Sequence, residues 1–196
     1  GIGTTRLAEE LLDWAGKLGH AWASSRAYAV GGALNYAPIA DWLRTPRLRA
    51  AIETLDDLWR VELARLLPEL LSARPDLPRP GTLTEAWQQQ RFFQSIAQAL
   101  QAAPGPLLLH FDDMQWGDGE TLHLLQFLLH SVRRRPLLVL GTLRTVDDVN
   151  HEPLGAMLKA LRHNHQLTEL RLGPLSREET RELVEQAAGA AITPEL

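Results

Sequence analysis

The sequence predicts an α/β layer fold built on a parallel sheet. Two features carry that reading. The apolar runs "LLLHF" (Leu107–Phe111) and "LLVLGTLR" (Leu137–Arg144) are continuous rather than alternating, as in strands covered on both faces. Stretches with helical spacing separate them, so helix and strand patterns alternate along the chain.

The elements follow in order. From Thr5 to about Leu18, the apolar positions Leu7, Leu11, Leu12, Trp14, Ala15 and Leu18 recur at helical spacing, and Gly19 stands where a helix C-cap falls. His20–Tyr28 reads as a short strand, followed by the loop "AVGGALNYAP". Tyr36–Arg44 and Pro46–Leu71 read as helices with breaks. Ser72–Thr84 is rich in proline and glycine and reads as a loop. Glu85–Ala103 is a further helix, stopped by "PGP". After Leu107–Phe111, "ETLHLLQFLLHSV" aligns Leu122, Leu125, Leu128, Leu129 and Val132 on one helical face. Leu137–Thr142 is the next strand, Pro153–Arg162 a helix, and Leu167–Leu172 alternates as a strand does. Ser176, with Glu179 three residues on, forms a capping box for the last helix.

Composition narrows the function. The 196 residues are 45% hydrophobic and 22% charged, an ordinary globular balance that argues against disorder. A net charge of -4 argues against direct nucleic-acid contact, whose footprint is basic. There is no cysteine, so neither disulfides nor thiolate metal sites are available. No apolar run reaches the roughly 20 residues that span a bilayer. The reading is a soluble cytoplasmic domain without a membrane partner. The abrupt start suggests a piece of something longer. Six tryptophans are expected mostly in the core or between helices, with Trp116 the exception because it belongs to the acidic motif, and Arg133–Arg135 at a solvated helix end.

Three stretches carry chemistry. The opening "GIGTT" matches the end of a phosphate-binding loop of form G-x-x-x-x-G-K-[ST], in which backbone amides and a helix N-terminus hold phosphates. Gly1 begins the stretch, Gly3 and Thr5 fit, and Thr4 stands in the place of the lysine. A plain glycine-containing N-cap has the same appearance. The second stretch, "PLLLHFDDMQWGD", places Asp112 and Asp113 at the carboxyl edge of the sheet, where open α/β folds bind ligands. There Asp112 can hold magnesium through water and Asp113 can polarise an attacking water, or Asp113 or Asp118 caps the helix starting near Gly119. In the third stretch, Thr142 and Arg144 leave a strand on the same edge. Arg144 is placed to bind a terminal phosphate or to pair with Asp147 or Asp148. His163 and His165 have no third ligand nearby in sequence, so a metal pair is not expected.

The order "GIGxTRLAEELL", "LLLHFDDMQWGD", "LLVLGTLR", "LRLGPLSREET" resembles the AAA-type P-loop ATPase module of STAND proteins, the signal-transduction ATPases with numerous domains. The modules of large LuxR-type transcriptional regulators and related bacterial signalling proteins are similar, including "GALNYAPIADWLR". The resemblance implies a three-layer P-loop fold with sheet order 5-1-4-3-2. Strand 1 is missing from this chain, and the four strands above serve as strands 2 to 5. Residues 1–172 would form the core, incomplete at its start, and residues 173–196 would begin a helical lid. The resemblance implies ATP and Mg2+ as cofactors, bound through Gly1, Gly3, Thr4 and Thr5, with the metal at Thr5 and Asp112. It also implies catalytic roles for Asp113 and Arg144. The implied function is an ATP-binding switch that gates effector domains of the same parent chain. The alternative is a degenerate, non-hydrolysing module acting as an interaction scaffold, for which Thr4 is the discriminating residue. The missing strand implies unpaired strand edges and a tendency to self-associate.

Overall fold

The computed structural model describes residues 3–28, 35–132, 135–143 and 152–188. Helix α1 (Thr4–Lys17) leads into strand β1 (Ala21–Arg26). Short helices α2 (Ala37–Leu43), α3 (Pro46–Ile52), α4 (Asp57–Leu63) and α5 (Glu69–Ala73) follow, broken as the sequence predicts. The long helix α6 (Ala86–Ala102) precedes β2 (Leu107–Asp112), a 3-10 turn at Met114–Trp116, α7 (Gly119–Ser131), β3 (Leu137–Gly141), α8 (Glu152–His163) and α9 (Arg177–Ala188).

The strands pair in parallel in the order β1-β2-β3. Ser24 stands opposite His110, and Arg26 opposite Asp112. Because side chains alternate along a strand, the register sorts the sheet into two faces. Ala21, Ala23, Leu107, Leu109 and Phe111 enter the main core with α2, α3, α6, α7 and α8. The other face presents Leu108, His110 and Asp112 in the middle, flanked by Trp22, Ser24 and Arg26. Helix α1 packs there through a smaller cluster of Leu12, Ala15 and Leu108, with Leu11 and Leu140 alongside.

Local chemistry sets the element ends. Asp118 caps α7, accepting the Thr121 N–H at 2.8 Å, so Asp118 rather than Asp113 is the cap. Ser176 and Glu179 form the expected capping box at α9. Gly141 ends β3 against Met114, whose Sδ would lie 2.9 Å from any Cβ built there. Arg135 donates to the carbonyls of Leu100 and Ala103 at the end of α6, serving the carboxyl end of a neighbouring helix; Arg133 and Arg134 lie outside the described residues.

Two expectations are corrected. Leu167–Leu172 forms no strand, and Leu170 is 78% exposed. Alternation alone does not make a strand, because the backbone needs a ladder partner, and among the described residues none pairs with this segment. The tryptophans are mostly not core residues. Trp42 is fully buried and donates its indole N–H to the His110 carbonyl at 2.9 Å, but Trp14, Trp22 and Trp87 are exposed, as is Trp116, the one set apart from that expectation. Their large apolar rings lie along helix and sheet surfaces instead: Trp22 covers Gly16, and Trp87 lies under the Arg91 guanidinium.

Candidate functional site

Helix α1 opens at Gly3, whose φ of 94° is the left-handed conformation that favours glycine. The buried stripe of α1 runs through Ala8, Leu12 and Ala15, and Thr5 continues it by one step at helical spacing. Thr5 is thereby turned towards the carboxyl edge of the sheet. Its hydroxyl donates to Asp112 at 3.3 Å from Oδ1, joining residues 107 positions apart in sequence.

Asp112 ends β2 and is almost wholly buried. Its Oδ1 accepts the Thr142 hydroxyl at 2.5 Å. Its Oδ2 accepts from Arg26, with Nε at 2.8 Å and Nη2 also in contact. Burial alone would raise the Asp112 pKa; the Thr142 hydroxyl and the Arg26 guanidinium outweigh it and hold the carboxyl below its ordinary value. The same carboxylate raises the pKa of Arg26, through the hydrogen bond first and the charge second.

Thr142 also fixes the next residue, accepting the Asp113 N–H on its Oγ1 at 2.9 Å. Its carbonyl takes the Met114 N–H, and its own N–H reaches the Phe111 carbonyl. Asp113 is held in the left-handed region at φ 53°. Its carboxylate accepts from Gln115 Nε2 at 3.0 Å and lies 3.5 Å from Arg26 Nε.

His110, one pair earlier on the same face, is buried and shares 2.9 Å with the Ser24 hydroxyl through Nδ1. Its Nε2 has no hydrogen-bond partner, and Asp112 Oδ1 is 4.0 Å away. Desolvation pushes the His110 pKa down, with the Asp112 charge opposing it, so the ring is neutral near pH 7. These groups line an open cleft of about 400 Å³ at the sheet edge, with Glu9, Tyr28 and Asp41 on its walls.

The structure thus brings Thr5, Asp112, Asp113 and Thr142 together, with Gly3 and Thr4 at the amino end of the same helix. Gly1 and Arg144 lie outside the described residues. Arg26, Ser24 and His110 are the site residues that sequence reasoning missed. The signal for Arg26 is a charge at the end of a strand, which gains meaning only from the register that sets it beside Asp112.

A helix N-terminus facing an acidic strand end at the carboxyl edge of a parallel sheet is the kind of place where open α/β folds bind ligands. The AAA ATPase domain family matches residues 1–140, and the chain belongs to that family. No curated protein and no solved structure matches the chain. The three strands and their helices are compatible with a P-loop NTPase fold.

The family implies nucleotide binding and usually Mg2+. The donor set at Asp112 does not fit that ion as arranged. Both carboxylate oxygens already accept protein donors, and the Arg26 guanidinium occupies Oδ2. A divalent ion on this carboxylate would press against a fixed positive charge. Among the described residues, no group of three or more His, Asp or Glu could hold a metal ion.

Proposed function

We propose that this AAA ATPase domain is the ATP-binding switch module of a multidomain signal-transduction or transcriptional regulator of the STAND type. The observation that carries the reading is the Thr5 hydroxyl on the Asp112 carboxylate, at the amino end of α1 and the carboxyl edge of the sheet. Gly3, Thr4 and Thr5 offer the first amides of α1 to phosphate oxygens, and the helix dipole favours the negative charge. The resemblance adds Gly1 to this loop and Arg144 as the residue that reports on the outer phosphate. Asp113 is the candidate to orient an attacking water, held in place by Thr142 and Gln115. The effector domains of the parent chain are the partners that such a switch would gate, in the cytoplasm.

A second reading, a module that binds without turning over and serves as an interaction scaffold, is favoured by two specific observations. Thr4 replaces the lysine that stabilises the transferred phosphoryl group, and Arg26 occupies the acidic residue at the strand end. Titration calorimetry with ATP, ADP and adenosine, paired with a phosphate-release assay, tests both readings. Binding that needs the phosphates supports the nucleotide site, and phosphate release then separates the switch that hydrolyses from the one that does not. Equal heats for ATP and adenosine would contradict the site.

A further inference from the structure

We propose that Arg26 is the phosphate-binding cation of this cleft and stands where a divalent ion would otherwise sit, so that a nucleoside triphosphate binds here without a metal. The inference rests on the nucleotide reading of the same site and says which charge that site uses.

Phosphates need a positive partner. The loop position that ordinarily supplies one is Thr4, which is uncharged. Among the cleft residues, Arg26 is the one with a permanent positive charge, since His110 is neutral near pH 7. The position of Arg26 is fixed by the fold rather than by chance contact at the surface. β1 pairs with β2 so that Arg26 stands opposite Asp112, and alternation along β1 points both to the α1 side of the sheet. The guanidinium and the Thr5 hydroxyl meet on the same carboxylate, which puts the charge beside the amino end of α1.

Arg26 remains partly open to the cleft, with 44% of its side chain exposed against 6% for Asp112. Asp112 engages Nε and Nη2 and Asp113 lies 3.5 Å from Nε, which leaves Nη1 outside these contacts as the part of the five-donor fork nearest to a ligand's use. A planar guanidinium with donors to spare is suited to phosphate oxygens. A second feature of the cleft also points to a ligand. His110, a residue that lines the same cleft, is about 1% exposed, and its buried Nε2 has no hydrogen-bond partner. A buried polar nitrogen left unpaired costs stability unless a bound group satisfies it. Asp112, in this arrangement, competes with a ligand for the donors of Arg26.

The test is ATP binding by titration calorimetry in excess EDTA and in excess Mg2+, for the wild type, Arg26→Met, Arg26→Lys and Asp112→Asn. The wild-type dissociation constants in the two buffers are expected to agree within about threefold. In EDTA, Arg26→Met should weaken binding by roughly 10- to 100-fold, the range of a lost charge-assisted hydrogen bond. Arg26→Lys, which keeps the charge, should retain most of the affinity. Asp112→Asn should tighten binding in EDTA by a few-fold, because it frees the guanidinium from a competing carboxylate. That last variant keeps the test decisive if Arg26→Met fails to fold. Wild-type binding that collapses in EDTA, or Arg26→Met binding as well as wild type, overturns the proposal and leaves the nucleotide site standing. Asp112→Asn losing affinity in EDTA overturns it as well. Absence of wild-type binding in both buffers overturns the nucleotide reading together with the proposal.

Discussion

Thr142 holds two consecutive residues of the acidic turn at once, giving its hydroxyl hydrogen to Asp112 and accepting the Asp113 N–H. Valine has the same shape without the hydroxyl, so Thr142→Val leaves one buried carboxylate oxygen short of a donor and one amide without its acceptor. It should cost about 1–3 kcal/mol, read as a lower urea midpoint with an unchanged m-value. His110 gives a second prediction. Its folded pKa lies below the unfolded value of about 6.5, so on acidification the unfolded chain takes up the proton first. The neutral ring's contribution is complete above about pH 6.5 and is lost as pH falls through the folded pKa. Asp112 acts in the same direction in a lower window, complete above about pH 3.9 and lost below it. Urea unfolding between pH 7 and 5 should therefore show falling stability, with a smaller slope in His110→Asn. An equal slope in both proteins would assign the effect elsewhere. At this scale the carboxylates and Thr5 were legible because strand ends and helix starts are marked by residue type. Arg26 and His110 were not, because "HAWASSRAY" and "LLLHF" do not say which strands are neighbours or in what register.

Among the elements, α1 decides whether the site is assembled. It is the helix that carries Gly3, Thr4 and Thr5, yet it docks through a small cluster built around Leu12, Ala15 and Leu108. Leu12→Ala should cost about 2–3 kcal/mol, near the lower end for a buried leucine because the surrounding cluster is shallow. It should also weaken nucleotide binding, since Thr5 loses its register against Asp112. Leu100→Ala in α6, which faces the main core on the other side of the sheet, should cost as much or more in stability and leave binding nearly unchanged. Chemical denaturation with ATP titration on both variants checks the contrast; parallel losses of binding in both would mean that stability alone governs the site. The helices and the first three strands followed from periodicity and punctuation within a few residues. The segment Leu167–Leu172 did not, because its alternation describes a strand only if another strand pairs with it.

Across the whole molecule, the sheet separates two unequal layers. A large apolar core packs on one face of β2, and the thinner α1 face leaves a polar cleft at the carboxyl edge. The fold therefore places Asp112 on a stable strand and Thr5 on a helix whose docking is easier to perturb, an arrangement in which ligand at the cleft can bias the position of α1. Class and the acidic edge were readable because apolar runs and the residues that end them are local, whereas the order of the strands came only from the family resemblance. The ion pair that fills the edge was not, because it joins residues 86 positions apart. The central claim is that the phosphates of ATP bind between the amino end of α1 and the end of β2. The most direct measurement is an amide chemical-shift map of the 15N-labelled chain during ATP titration. The account predicts saturable shifts at Gly3, Thr4, Thr5, Arg26, Asp112 and Asp113, with adenosine failing to reproduce them. Shifts confined to other regions, or the same pattern with adenosine, would contradict it.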